Sequence, residues 1–393
     1  MNNHFHYDVI IAGGGPAGAS AAIHLANGGA RVLLAEQKNF PREKLCGEFI
    51  SPECLLHFEK LGVRERMLAA VPAKLDQTVF YSRRGKSVSV PSSWFDASGI
   101  ALGLSRAEMD ERLLRRAHET GAEVLENAHV TDVIIEDSAV RGVVIKSADR
   151  ARQYHAPLTI DATGRTRALG RRAEKRKHGY REHRTKLVAF KAHLHNTSVA
   201  AGACEIYFYQ GGYGGLSTIE KGLSNLCFIA SAGDVRALAG DAELVMRQIV
   251  CQNTRAAKTL ASATAASSWL AVSLERFGRH RLQPARGLIA IGDAASFIDP
   301  FTGSGMLMAL QSGELIGEIV SDRLKQISDE RAQRIIADCY RSVYRERFGT
   351  RLRLCSALRH AAFVPGLASL AIALSGSSNT VRRRLTLATR VGS

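Results

Sequence analysis

The hydrophobic pattern opens with Tyr7–Ala12, a short run that is apolar on both faces, and passes through a glycine cluster into Ala17–Asn27, small residues at helical spacing. Val32–Ala35 follows, again apolar throughout, and stops at Glu36. Strands buried on both faces and joined by a helix predict a parallel βαβ unit. After a short helical stretch, Thr78–Ser82 and Ser87–Val90 flank Arg83-Arg84-Gly85-Lys86, the pattern of a hairpin. Ser105–Thr120 places Met109, Leu113, Leu114 and Ala117 on one helical face. Strands are then expected at Glu123–Leu125, His129–Glu136, Val140–Ser147 and Leu158–Ile160.

From Lys186 to about Ser273 the alternation is mostly that of strands: Leu187–His195, Glu205–Tyr209, Gly214–Ile219 and Asn225–Ser231, with one helix near Asp241–Cys251. The nucleotide-fold pattern returns late, as a strand at Leu288–Ile291 and a helix from Gly305 to Lys325. The expectation is an α/β chain: a discontinuous Rossmann-like dinucleotide-binding domain over 1–72, 101–185 and 280–345, interrupted by a strand-rich α+β substrate domain over 73–100 and 186–279. Residues 346–393 read as a basic helical C-terminal region.

The assignment to FAD starts at Gly13-x-Gly15-x-x-Gly18, between the first strand and the first helix. Gly13 allows the tight turn, Gly15 lets backbone N–H groups approach a pyrophosphate, and Gly18 allows close helix–strand packing. Pro16 suits the first helical turn, where its missing N–H costs nothing. Glu36, 18 residues after the last glycine, can accept from a ribose hydroxyl. This much fits NAD as well as FAD. Gly287–Ala295, a strand ending in Gly292-Asp293, leads into Pro300-Phe301-Thr302-Gly303-Ser304-Gly305 and a helix. An Asp at that strand end can hold a ribityl hydroxyl, and the glycine-rich helix start aims N–H groups at a carbonyl that turns anionic on flavin reduction. NAD has no ribityl chain, so the second element points to FAD.

Composition narrows the class without naming the chemistry. With 46% hydrophobic and 23% charged side chains, the 393 residues are ordinary globular protein, neither disordered nor fibrous. Seven cysteines with no CxxC pair and no signal peptide predict a reducing cytoplasm. The longest apolar run, Ala361–Leu374, contains Pro365 and Gly366 and is too short to span a bilayer. The net charge of +16 is local: Arg165–Lys186 carries +8 and Arg341–Ser393 carries +9, leaving the rest near neutral. No nucleic-acid motif accompanies it. Two expectations stand: Arg351, Arg353, Arg359 and Arg382–Arg384 face an anionic membrane surface, a phosphorylated substrate or an acidic carrier protein, or they are solvated basic helices.

The glycine fingerprint, the central Ile160-Asp161-Ala162-Thr163-Gly164 and the Gly292-Asp293 loop together resemble the flavoprotein superfamily of para-hydroxybenzoate hydroxylase. Pro41-Arg42-x-Lys44-x-Cys46-Gly47 and Asp299-Pro300-Phe301-Thr302-Gly303-Ser304-Gly305-Met306 are most similar to its geranylgeranyl reductase family. That resemblance implies an FAD site built from Gly13, Gly15, Pro16, Ala17, Gly18, Glu36, Cys46, Gly47, Arg106, Val130, Asp161, Gly164, Asp293, Pro300, Gly303, Gly305 and Met306. Arg106, at a helix N-terminus where the macrodipole disfavours a cation, would be relieved by a phosphate. Cys46 is an acid, a radical quencher, or a small packing residue; Glu48 is a proton relay or an ion-pair partner of Lys44 or Arg42. Tyr213 is the pocket-wall candidate, in Tyr213-Gly-Gly-Leu216-Ser-Thr218, which lacks the Trp and Pro of the reductases' Tyr-x-Trp-x-Phe-Pro.

The reaction implied is reduction of a C=C bond in an isoprenoid, lipid or polyketide-like substrate, with NAD(P)H or another reductant as donor. Flavin-dependent hydroxylation of an aromatic or polyketide substrate is the alternative. A halogenase and a non-catalytic prenyl-lipid escort rank below both. The histidines show no metal spacing and no metal is expected.

Overall fold

The computed structural model describes residues 6–95, 99–148, 150–178, 184–275, 277–299, 303–362, 380 and 383. Pro300, Phe301 and Thr302, most of the Ala361–Leu374 run, and Arg382 and Arg384 lie outside the described residues.

Five short strands pair in parallel in the order Leu288–Ala290, Leu158–Asp161, Val9–Ala12, Val32–Ala35, Glu123–Leu125. Alternation sorts the strand residues between two cores. Val9, Ile11, Val32 and Leu34 meet the helices Pro16–Asn27, Arg106–Glu119 and Gly305–Ser321. Ile10, Ala12, Leu33 and Ala35 meet a three-stranded antiparallel sheet, Ala128–Glu136, Ala139–Ser147 and Arg150–His155. This is a Rossmann-like core, and its last strand and last helix come from the far end of the chain.

The second body is an eight-stranded sheet centred on Arg184–His195, Ser224–Ser231, Gly212–Thr218 and Ala203–Tyr209. Gln77–Tyr81 joins its edge in parallel with Ala203–Tyr209 and brings its hairpin partner Ser87–Pro91. One face, with Phe190, Tyr207 and Phe228, is covered by the helices Ala242–Gln248 and Thr254–Thr259. The opposite face, with Ala189, Phe208, Tyr213 and Ile229, looks toward the Rossmann-like core.

Several elements differ from the sequence expectation. Arg150–His155 pairs as an edge strand although it is mostly polar and exposed, so it carries no buried-strand signal. The helix expected over Asp241–Cys251 ends at Gln248 and a separate turn, Val250–Gln252, follows. The helix from Gly305 ends at Ser321, before Lys325. Glu330–Ala362 is one helix, continuous through residues 345 and 346. On it, Arg351 is 3% exposed and its Nη1 donates to Gln311 Oε1 at 3.3 Å, so this arginine packs inward instead of facing an outside surface. Among the described residues no helix is long and apolar enough to cross a membrane.

Candidate active site

The glycine turn sits where the first strand hands over to the first helix. A Cβ on Gly18 would lie 1.8 Å from Gly13 O, so the helix approaches its own strand as only glycine permits. Space at Gly15 opens instead toward Arg106 and Arg42, whose Nη2 atoms stand 3.8 Å from where a Cβ would be. Glu36, 5% exposed, accepts Gly14 N–H at 2.8 Å and Lys38 N–H at 3.1 Å, so the acid expected to meet a ribose also fixes the loop around it.

These groups line one cavity of about 600 Å³ between the Rossmann-like core and the second sheet. Gly13, Gly15, Pro16, Ala17, Glu36, Cys46, Gly47, Arg106, Val130, Gly164, Asp293, Gly303, Gly305, Met306 and Tyr213 all contribute to its wall. Two of the predicted residues that are described do not. Gly18 acts through packing, as just described. Asp161 turns its carboxylate into the protein, accepting Thr163 N–H at 3.0 Å, Thr163 Oγ1–H at 2.6 Å and Gly170 N–H at 2.8 Å. It shapes the loop and does not face the cavity.

Five Lys and Arg residues line the cavity, four of them beyond the FAD site expected from sequence: Lys38, Arg42, Lys44 and Arg165 beside Arg106. Arg106 is held in a bidentate pair by Asp110 at 2.7 Å from each nitrogen, and its backbone N–H donates to Glu48 Oε1 at 3.0 Å. Those two carboxylates relieve the conflict with the macrodipole, a task expected of a phosphate. Arg42 also reaches Asp110, at 3.2 Å. Lys44 borders the cavity; desolvation, with Arg42, Arg106 and Arg165 crowding it, lowers its pKa to about 8. Burial raises the Asp293 carboxyl, and Arg106, Lys44 and Arg165 hold it back. A groove lined by several cations, an open glycine and a helix start at Gly305 fits the diphosphate and ring carbonyl of FAD.

The opposite wall is apolar: Phe80, Val88, Phe208, Ile229, Leu274 and Phe297. Tyr213 stands in it and donates its hydroxyl hydrogen to Asp299 Oδ1, joining the second sheet to the loop that precedes Gly303. Cys204 and Cys227 also line the cavity; burial raises both thiols, Cys204 to about 12.

Glu48 is fully buried and pairs with neither Lys44 nor Arg42. Its Oε1 lies 3.1 Å from Lys191 Nζ and its Oε2 lies 2.7 Å from His193 Nε2. Lys191 is shared with Glu43. Ligand atoms of Glu43, Glu48 and His193 lie within 4.8 Å of one another, the spacing of a metal set, but the Lys191 ammonium already bridges the two carboxylates. Cys46 sits beside the Arg106 guanidinium, and its backbone carbonyl accepts a hydrogen bond from Asn225 Nδ2 at 3.1 Å. Sequence reasoning missed Lys191 and His193. Their signal was parity, because they alternate with Phe190 and Ala192 on a strand buried on both faces, where a charge needs a partner.

Residues 6–345 match the family model described as FAD binding domain. Menaquinone reductase of Mycobacterium tuberculosis is 27% identical over 338 residues, covering 80% of this chain and 77% of that protein. Digeranylgeranylglycerophospholipid reductase 2 of Methanopyrus kandleri is 26% identical, covering 81% and 78%. Among solved structures, the flavin-dependent brominase Bmp2 superposes with a TM-score of 0.80 at 20% identity, over 98% of this chain and 93% of its own. A geranylgeranyl bacteriochlorophyll reductase-like protein from Thermoplasma acidophilum gives 0.80 at 19% identity, over 98% and 95%. These superpositions show a shared fold. The matched family, the fingerprint on its strand–helix turn and the cavity it borders place the chain among the FAD-dependent oxidoreductases of the para-hydroxybenzoate hydroxylase and geranylgeranyl reductase superfamily.

Proposed function

We propose that this protein reduces carbon–carbon double bonds in a hydrophobic, prenyl-type substrate, taking electrons from NADH or NADPH. The observation that carries the reading is the apolar wall of Phe80, Val88, Phe208, Ile229, Leu274 and Phe297, which faces the phosphate turn across one cavity. Relatives named for menaquinone and for a digeranylgeranyl phospholipid lend it support. When bound, FAD would supply two-electron, hydride-equivalent chemistry between the nicotinamide donor and the substrate. The chain's part is to bind and shield. Glu36, the glycine turn, Arg106 and Asp293 hold the cofactor, while the apolar wall excludes water and aligns the substrate chain. Arg42, Lys44 and Arg165 face the same groove and add charge for the cofactor diphosphate. Delivery from the cytoplasmic face of an anionic membrane is consistent with the basic segments. Vesicle co-sedimentation that ignores anionic lipid and salt would dismiss that route.

A second reading, hydroxylation of an aromatic or polyketide substrate, draws on the aromatic side chains Phe80, Phe208, Tyr213 and Phe297 that line the cavity. Oxygen separates the two. The purified flavoprotein, reduced anaerobically with NADPH and mixed with menaquinone or a geranylgeranyl lipid, should be reoxidised with loss of a double bond. A product that gains one oxygen atom, formed only in air, would sink the reductase.

A further inference from the structure

At the seam between the two bodies, four ionisable side chains share one buried site. Glu48 comes from the loop after the second strand, at φ +53°, a left-handed backbone that costs about 1–2 kcal/mol for a residue with a side chain. Lys191 and His193 come from the central strand of the second sheet, 1% and 8% exposed in their side chains, and Glu43 reaches the site from the surface at 41%. Glu43 and Glu48 both line the cavity.

Charge balance is the first argument. Glu43 and Glu48 together carry one charge more than the Lys191 ammonium between them, and Glu48, unlike the partly exposed Glu43, has no water to screen it. A proton on the Glu48–His193 pair brings the four groups to neutrality. Arg106 contributes only its backbone N–H, since its guanidinium is paired with Asp110. Lys44 and Arg165 belong to the cofactor groove, burial keeps Cys227 protonated, and Cys46, Asn225 and Ser267 complete the surroundings. The second argument is a polar row. His193 lies opposite Asn225, and Asn225 opposite Ser217, on one face of the sheet. Asn225 Oδ1 and Ser217 Oγ are buried and have no hydrogen-bond partner in the structure. Spare acceptors beside an ion pair give a proton somewhere to move.

We propose that Glu48 Oε2 and His193 Nε2 hold one exchangeable proton between them and donate it into the cavity, with Lys191 and Glu43 as positioning residues. The inference rests on the reductive reading. The bond from oxygen or nitrogen to that hydrogen breaks and a C–H bond forms on the substrate. The electrons of the broken bond stay behind, leaving a carboxylate and a neutral imidazole. The other hydrogen arrives with its electron pair as the hydride named above, and solvent restores the lost proton through Glu43.

Two measurements on the full-length holoenzyme test it. Nitrogen-15 spectra of labelled histidine should show His193 doubly protonated at pH 7, and neutral in Glu48→Gln at the same pH. A neutral His193 in the native protein, or one indifferent to Glu48→Gln, overturns the proposal. Should Glu48→Gln fail to fold, His193→Asn decides through single turnover of the pre-reduced enzyme with menaquinone. The expected result is reoxidation slowed about 100-fold, a flattened pH profile and an unchanged spectrum of bound FAD. Native rate and profile in His193→Asn would refute it. If no lipid reoxidises the native enzyme, the reductive reading fails on its own, and the histidine spectra still decide whether the pair holds a proton.

Discussion

At the scale of single residues, the glycine turn and the cation groove make different demands. Gly18→Ala forces a methyl against Gly13 O; the expected cost is about 1–3 kcal/mol of stability, with FAD occupancy reduced, both readable from a melt and a cofactor assay. Lys44 gives a pH signature. An anionic cofactor beside it raises its pKa above the value of about 8 held without one, so binding is fully favoured below pH 8. Above pH 8, FAD affinity should fall about tenfold per unit until the raised value is passed, and Lys44→Met should remove that slope; fluorescence titration of FAD across pH 7–10 measures both. Residues that act within a few positions of one another were legible from sequence. Gly13, Gly15, Gly18 and Glu36 form a local motif: Gly13, Gly15 and Glu36 line one cavity, and Gly18 packs against Gly13. Glu48 was visible as a candidate, but its partners were not, because Lys191 and His193 come from a strand that only tertiary pairing brings to it.

Between elements, one tie shows how the helices are fixed. Glu314, on Gly305–Ser321, accepts from Lys60 Nζ at 2.5 Å and His57 Nδ1 at 2.8 Å, both on Cys54–Lys60. Burial opposes its charge, but those two hydrogen bonds outweigh it and lower the carboxyl from 4.5 to about 2. A carboxyl depressed on folding stabilises above its unfolded value. That contribution is therefore complete above about pH 4.5 and lost as the pH falls toward 2. Glu314→Gln should cost on the order of 2 kcal/mol at pH 7 and flatten the acid limb of the stability curve, measured by urea melts from pH 2.5 to 7. Elements with a periodic apolar face were read well. The helix carrying Met109, Leu113, Leu114 and Ala117 runs Arg106–Glu119 with all four buried. Arg150–His155 and the two-residue strand Phe49–Ile50 were not read, since a polar edge strand and a two-residue pairing take their shape from neighbours.

Across the whole molecule, function depends on a space that neither body contains alone. The cofactor groove belongs to the Rossmann-like core and most of the apolar wall to the second sheet, so the wall can be altered on that sheet without touching the groove. Gly215→Phe adds bulk where a Cβ already stands 3.1 Å from Ile206 Cδ1. The expected outcome is native FAD content with lipid-driven reoxidation slowed at least tenfold, roughly the 1–3 kcal/mol of a misfitting apolar group. The overall charge was the least informative sequence feature, because part of the basic excess is internal: Arg167 pairs with Glu174 at 2.8 Å and Arg351 is buried. The interleaved order of the chain carries one more consequence. The helix that starts the fingerprint, Pro16–Asn27, packs on Gly305–Ser321, where Ser20 Oγ donates to Leu310 O at 2.9 Å and Gly313 meets Ala17. During synthesis the first helix leaves the ribosome about 15–60 s before its cover, at ordinary elongation rates. Through that interval its apolar face waits without a partner, and a ribosome that stalls before residue 305 releases a chain with half a cofactor site. Possession of FAD is thus a certificate that translation ran to the end of the fold.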